Sequence, residues 1–239
     1  MEILAVIPAR GGSKGIVHKN IRPFAGKPLL AHTIKHAQSI PRITRIIVST
    51  ESGAIARAAK KYGAEVPFLR PPQMAEDSSP VVDAIIDLLH KLQIQEKYLP
   101  DALVLLQPTS PLRKPEDING TLDLFFKEKC DAALTVCRTE QLVFTKDNRQ
   151  RLHLQSNRAF LKSTNRQMLP PTYKFDGCTV YVIKPKALFR ERTFVPKSTC
   201  AYIMPRWRTV DLDEPEDFIV GELIYKKRTE IEKALRSFK

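Results

Sequence analysis

The stretch Ile3-Leu4-Ala5-Val6-Ile7-Pro8-Ala9-Arg10-Gly11-Gly12-Ser13-Lys14-Gly15 runs from an apolar segment straight into a loop of glycines and cations. Its first half reads as a strand apolar on both faces, which belongs in a sheet covered on both sides. In its second half, Gly11, Gly12 and Gly15 let backbone N–H groups approach an anion closely. Arg10, Lys14 and the nearby Lys19 add positive charge. Together these features suit a triphosphate at the end of a first strand. The loop is not a Walker A element, because Ser13 and Lys14 precede Gly15 where GxxxxGK needs Lys after the second glycine. It is not GxGxxG either.

Outward from this stretch, strands and helices alternate. Helical spacing covers residues 28–40, 53–62, 80–92 and 115–129, and the last of these carries Pro115 at its first turn. Strand patterns occupy 43–49, 66–69, 102–106 and 131–137. The alternation predicts an α/β fold with a doubly wound, mostly parallel, Rossmann-like sheet. Ligands of such sheets bind beyond the carboxyl ends of the strands. The loops after Ile7, Thr50, Gln107 and Cys137 are therefore the places to search. Residues 138–176 lose the periodicity, and Pro170-Pro171 forbids a helix there. They read as a small extension within a single domain of 1–239, with a strand near 151–155. Strands at 178–183, 200–204 and 209–212 and a helix at 215–235 complete the chain. Glu216 and Asp217 suit the positive end of that helix.

The 239 residues are 43% hydrophobic and 27% charged, an ordinary globular composition. No apolar run approaches the length of a membrane span, and the first strand lacks the basic region of a signal peptide. A cytoplasmic protein without a membrane partner is expected. Cys130, Cys137, Cys178 and Cys200 show no CxxC spacing and sit among apolar neighbours, so buried free thiols are expected. The net charge is +13, and most of it lies between Arg138 and Arg208, where 15 basic residues face 4 acidic ones. A nucleic acid, a membrane surface or a small polyanion could answer such a charge. No RRM, KH, helix-turn-helix or zinc-finger signature accompanies it, so no nucleic-acid partner is expected. His32 and His36, one helical turn apart, read as a helix surface and not as a metal site.

Here the sequence meets a resemblance. The block from Ile7 to Gly15 followed by Lys19-Asn20 is similar to the opening of the N-acylneuraminate cytidylyltransferases, the CMP-sialic acid synthetases, which have the nucleotide-diphospho-sugar transferase fold. Leu106-Gln107-Pro108-Thr109-Ser110-Pro111-Leu112-Arg113 resembles a second family block. Val48-Ser49-Thr50 with Leu69-Arg70-Pro71, Arg166-Gln167 with Asp176-Gly177, and Asp211-Leu212-Asp213 follow in family order. Three places depart from the pattern: Val17-His18, Glu140-Gln141-Leu142-Val143 and Asp176-Gly177-Cys178.

The resemblance implies joining of CTP to a nonulosonic acid, a sialic-acid-like sugar acid, with release of pyrophosphate. It implies catalytic roles for Arg10, Lys19 and Asp211. It puts Arg10, Gly11, Gly12, Ser13, Lys19, Asn20, Arg70 and Ser78 at the nucleotide, with Lys14 a further cation. Gln107, Arg166, Tyr181 and Phe194 would face the sugar, Arg166 through its carboxylate. Asp211 and Asp213, at strand period two, would share one face and hold Mg²⁺, a hard cation that keeps waters and takes substrate phosphates. The extension at 138–176 would form a homodimer and reach a partner's sugar pocket. Two other readings stand beside this one: nucleotidyl transfer to another sugar or sugar phosphate, and a basic nucleic-acid-binding protein.

Overall fold

The computed structural model describes residues 1–13, 15–139, 144–154, 171–175 and 180–238. The central sheet runs in the order β11 (Thr199–Met204), β6 (Ala132–Thr139), β10 (Val180–Ile183), β5 (Ala102–Leu106), β1 (Ile3–Pro8) and β4 (Arg45–Ser49). β1 is parallel to both β4 and β5, and β11 is parallel to β6. β10 alone on this path runs against its neighbours, pairing antiparallel with β5 and β6. A short strand β9 (Thr172–Lys174) adds antiparallel to the far end of β6.

The pleat sends alternate residues of each strand into two separate cores. Ile3, Ala5, Ile7, Val104 and Leu106 pack under α1 (Leu29–Gln38), α2 (Gly53–Lys61) and α4 (Pro115–Glu128) through Ile34, Ala59 and Ile118. Leu4, Val6, Leu103 and Leu105 meet α3 (Val81–Glu96) and α5 (Pro185–Glu191) through Ile85, Leu89 and Leu188. This is the doubly wound arrangement expected of strands apolar on both faces. A third cluster joins Ile16, Phe24, Leu29, Leu212 and Phe218, and it clamps the first loop to α6 (Pro215–Arg236). Asp217 accepts from the Glu214 N–H and so caps α6, as its place at the helix start suggests.

Several expectations are corrected. Residues 66–69 form no strand; Glu65 alone bridges to Ile47. Residues 209–212 form no strand, because the segment crosses to the β5 loop, where the Leu212 N–H donates to the Thr109 carbonyl. Cys130 and Cys200 form a disulfide and are not free thiols. Cys200 on β11 lies opposite Ala133, and Cys130, just before β6, has its Cα atom 6.2 Å from that of Cys200, inside disulfide reach. Cys137 is free and buried as expected. Cys178 lies outside the described residues. His32 is buried rather than on a helix surface, with its ring nitrogens against the Phe24 carbonyl and the Tyr225 hydroxyl. The strand near 151–155 is present as β8 (Leu152–Leu154), paired with β7 (Phe144–Lys146). Among the described residues, no helix is long and apolar enough to cross a membrane.

Asp117 is fully buried in the first turn of α4. It accepts from the Lys114 N–H and pairs with Arg208 at 2.6 Å. Burial pushes its carboxyl above the usual range, and the Lys114 N–H and Arg208 oppose that shift. Asp117→Ala is expected to cost about 3–5 kcal/mol, because it strands the Arg208 charge, whereas Asp117→Leu with Arg208→Met costs far less. Urea unfolding of both variants measures the difference.

Candidate active site

A cleft of about 380 Å³ opens beyond the carboxyl ends of β1 and β5. Pro8 and Arg10 enter it from β1, and Gln107, Pro108 and Thr109 from β5. Lys19 and Asn20 come from a 3-10 turn (Lys19–Ile21), and Arg70 comes from the connection after β4. Asp211 and Asp213 line it as well. The structure thus brings together six of the residues expected at nucleotide and metal (Arg10, Lys19, Asn20, Arg70, Asp211 and Asp213), with Gln107 beside them.

Each is held by its own local partners. The Asn20 side-chain amide donates to the Arg10 carbonyl at 2.9 Å and so fixes the loop that carries Arg10. The Arg70 guanidinium, buried at 8% exposure, donates to the Ser49 carbonyl and hydroxyl at the end of β4. Burial lowers its pKa, and Glu51 opposes that shift. Leu212 is fully buried between Asp211 and Asp213, so the clamp cluster anchors the segment that carries both carboxylates. The two acids reach the cleft without the strand that period two implied.

The cations are paired: Arg10 with Asp77 at 2.7 Å and Lys19 with Asp213 at 2.9 Å. Asp77 and Glu76 line the cleft and were missed in sequence, since no pattern marks two acids before Ser78-Ser79 as cleft residues. An incoming polyanion would exchange these pairs for charge-assisted contacts of its own.

Some expected contacts are relocated. Gly11, Gly12 and Ser13 do not line the cleft. The Gly11 N–H is given to Glu51 Oε1 at 2.5 Å, so its loop leans on the β4–α2 turn. Ser78 is exposed and Ser79 lines the cleft in its place, its hydroxyl donating to the Gln73 carbonyl. Tyr181 and Phe194 pack in the core beneath α3, because Tyr181 lies on the β10 face whose neighbours are Leu105 and Leu134. Lys14 and Arg166 lie outside the described residues, as do residues 140–143 and 176–178.

Asp211 and Asp213 supply hard oxygen donors one residue apart at the same cleft, a donor set that fits a Mg²⁺ sharing its sphere with waters and phosphates. Among the described residues no cluster of three or more His, Cys, Asp or Glu gathers at a metal-binding distance. A protein cage for a metal is therefore not what these residues form.

The glycines make a sharp test. A Cβ at Gly15 would run into the Asp213 backbone carbonyl, which no rotamer change can relieve, whereas one at Gly12 would meet nothing. Gly15→Ala is expected to shift Asp213 and lower turnover about a hundredfold, the scale of a 1 Å misplacement. Gly12→Ala is expected to stay near wild type in the same steady-state assay.

The family model described as Cytidylyltransferase matches residues 4–232. The chain is 35% identical to the CMP-N,N'-diacetyllegionaminic acid synthase of Legionella pneumophila over 96% of this chain and 99% of that protein. It is 30% identical to the N-acylneuraminate cytidylyltransferase of Streptococcus agalactiae over 94% of this chain and 54% of that protein. A solved structure of CMP:2-keto-3-deoxy-manno-octonic acid synthetase complexed with CTP has the same fold, with a TM-score of 0.69 at 15% identity over 95% of this chain and 100% of that one. From β1 to near the end of α6, then, sequence and architecture agree: the chain belongs to the cytidylyltransferase family.

Proposed function

We propose that this enzyme joins CTP to a nonulosonic acid and releases pyrophosphate, giving the CMP-sugar. The observation that carries the reading is one cleft lined by Arg10, Lys19 and Arg70 together with Asp211, Asp213 and Gln107. The activities named for its relatives support both substrates.

The sugar's anomeric hydroxyl oxygen attacks the α-phosphorus. A P–O bond forms to the sugar, the P–O bond to pyrophosphate breaks, and the hydroxyl proton leaves. The protein's contribution is position and charge. Arg10 and Lys19 are placed to neutralise the triphosphate and the departing pyrophosphate, exchanging their partners Asp77 and Asp213 for phosphate oxygens. Arg70, braced on Ser49, holds its charge at the nucleotide side without depending on solvent. Gln107 offers both a donor and an acceptor to the sugar acid. Mg²⁺, held by Asp211 and Asp213, would supply further neutralisation of the phosphates. CTP is an intracellular substrate, which supports a cytoplasmic site of action.

Pyrophosphate release is expected only with CTP, a nonulosonic acid and Mg²⁺ together; equal turnover with ATP or UTP overturns the assignment. Asp211→Ala or Asp213→Ala is expected to lower turnover about a hundredfold or more, as loss of one charge-stabilising group does elsewhere. Near wild-type rates for both variants across a Mg²⁺ titration would make these carboxylates structural.

The active form is proposed to be a homodimer in which the segment 138–176 reaches a partner's sugar site. Its excess of Arg and Lys motivates this, since a lone basic arm gains little by folding on its own surface. Mixing inactive Arg10→Ala with inactive Arg166→Ala should restore activity through hybrid dimers, as two-fold symmetry allows. A monomer by light scattering, or no recovery after confirmed subunit exchange, rejects shared sites.

A further inference from the structure

Gln107 stands one residue past the end of β5 and lines the cleft. The pairing of β5 reaches Leu105 on the β1 side and Leu106 on the β10 side, so among the described residues no strand holds the Gln107 backbone. The turn that follows, Gln107-Pro108-Thr109-Ser110-Pro111-Leu112-Arg113, contains two prolines, which have no N–H to donate. At its middle the Thr109 carbonyl accepts from the Leu212 N–H.

The first residue of this turn is fixed by the last. Arg113 Nη2 donates to the Gln107 carbonyl at 3.2 Å and to the buried Thr33 hydroxyl of α1 at 2.9 Å. Arg113 therefore joins the start of the turn to a helix packed against the sheet.

Stability alone gives a poor account of this arginine. It is fully buried, and although burial lowers its pKa to about 10, it keeps its charge at neutral pH. The carboxylate that answers it is Asp117, which is already paired with Arg208 at 2.6 Å. One buried carboxylate thus faces two buried cations. Buried ions are costly to desolvate, and apolar side chains of similar volume often replace them with no loss of stability. A turn that needed only closing could use a neutral donor. A charged donor makes a hydrogen bond roughly twice as strong, and so holds a backbone carbonyl to a narrower position.

We propose, on the reading of Gln107 as an acceptor-side group given above, that Arg113 is a positioning residue for the sugar acid. By fixing the Gln107 carbonyl it sets where the Gln107 side chain stands in the cleft. Such placement matters, because a shift of about 1 Å in a substrate-facing group can cost about a hundredfold in rate.

A double-mutant cycle on the full-length enzyme tests this, read as kcat/KM for the sugar acid at saturating CTP and as CTP affinity by calorimetry. Arg113→Lys keeps a positive charge for Asp117, but its side chain is shorter and gives up the Gln107 carbonyl. It is expected to lower kcat/KM for the sugar acid about tenfold, as loss of a hydrogen bond from a charged donor implies, and to leave CTP affinity unchanged. Gln107→Ala is expected to lower kcat/KM at least as much. The double variant should match Gln107→Ala alone, because Arg113 acts through a side chain that is then absent. A purely structural role predicts effects that add, with CTP affinity falling alongside. Circular dichroism verifies folding. If Arg113→Lys does not fold, Arg113→Met takes its place in the cycle with the same expectations, since it leaves Asp117 and Arg208 as a matched pair. Additive effects, an unchanged kcat/KM in the folded Arg113 variant, or a parallel loss of CTP affinity overturns the proposal while the acceptor reading stands. An unchanged kcat/KM in Gln107→Ala, or no wild-type turnover with any nonulosonic acid, overturns both.

Discussion

The site depends on a carboxylate that never meets solvent. Asp117 caps the first turn of α4, and through Arg208 it holds the turn that feeds the segment carrying Asp211 and Asp213. Leu212 then fixes that segment from the other side, buried against Phe24 and Phe218 with its N–H on the Thr109 carbonyl. Two unlike constraints, one ionic and one apolar, therefore converge on three residues. An extended segment outside any sheet has no ladder of its own to hold its carboxylates in place. A paired buried charge is costly to break and tolerates little displacement, and this is what a site built from irregular backbone needs.

The rest of the cleft is held in a similar way, with backbone atoms and neighbouring side chains fixing the groups that line it. Asn20 holds the Arg10 carbonyl, Ser49 holds Arg70, and Glu51 holds the Gly11 N–H. The glycine-rich loop is thus a packed joint between the β1 and β4 ends. Gly11 has no side chain because Glu51 and Ser52 press on it, and Gly15 has none because the Asp213 carbonyl does. Close backbone approach was legible in the sequence, but what approaches whom was not. An anion and a neighbouring chain segment make the same demand on a glycine.

The same division runs through the fold. Strands apolar on both faces announced a doubly wound sheet, because alternate side chains must find cover on each side. The pairing of β10 against its neighbours could not be read, since Val180-Tyr181-Val182-Ile183 has one pattern in either direction. Helix α5 escaped notice because seven residues beginning with a proline give too few turns for a period to emerge. Tyr181 was assigned to a ligand by its place in a family block, yet strand parity puts it under α3 with Phe194. The Cys130–Cys200 link depends on which strands are neighbours, and spacing in sequence does not carry that. Arg10 and Gln107 were readable because charged or polar residues just past a strand end have few structural reasons to be there, whereas Lys19, Arg70, Asp211 and Asp213 were placed by the family resemblance.

The reversed strand also has a consequence for how such an enzyme can change. β6 leaves the sheet at its ligand-binding end, and β10, running the other way, re-enters at that same end. The chain between Thr139 and Val180 is therefore an excursion whose two ends are fixed side by side in the sheet. Loop closure penalises added length in such an excursion only weakly. An insert joined at that point can be redrawn while the parallel strands that carry the cleft stay as they are.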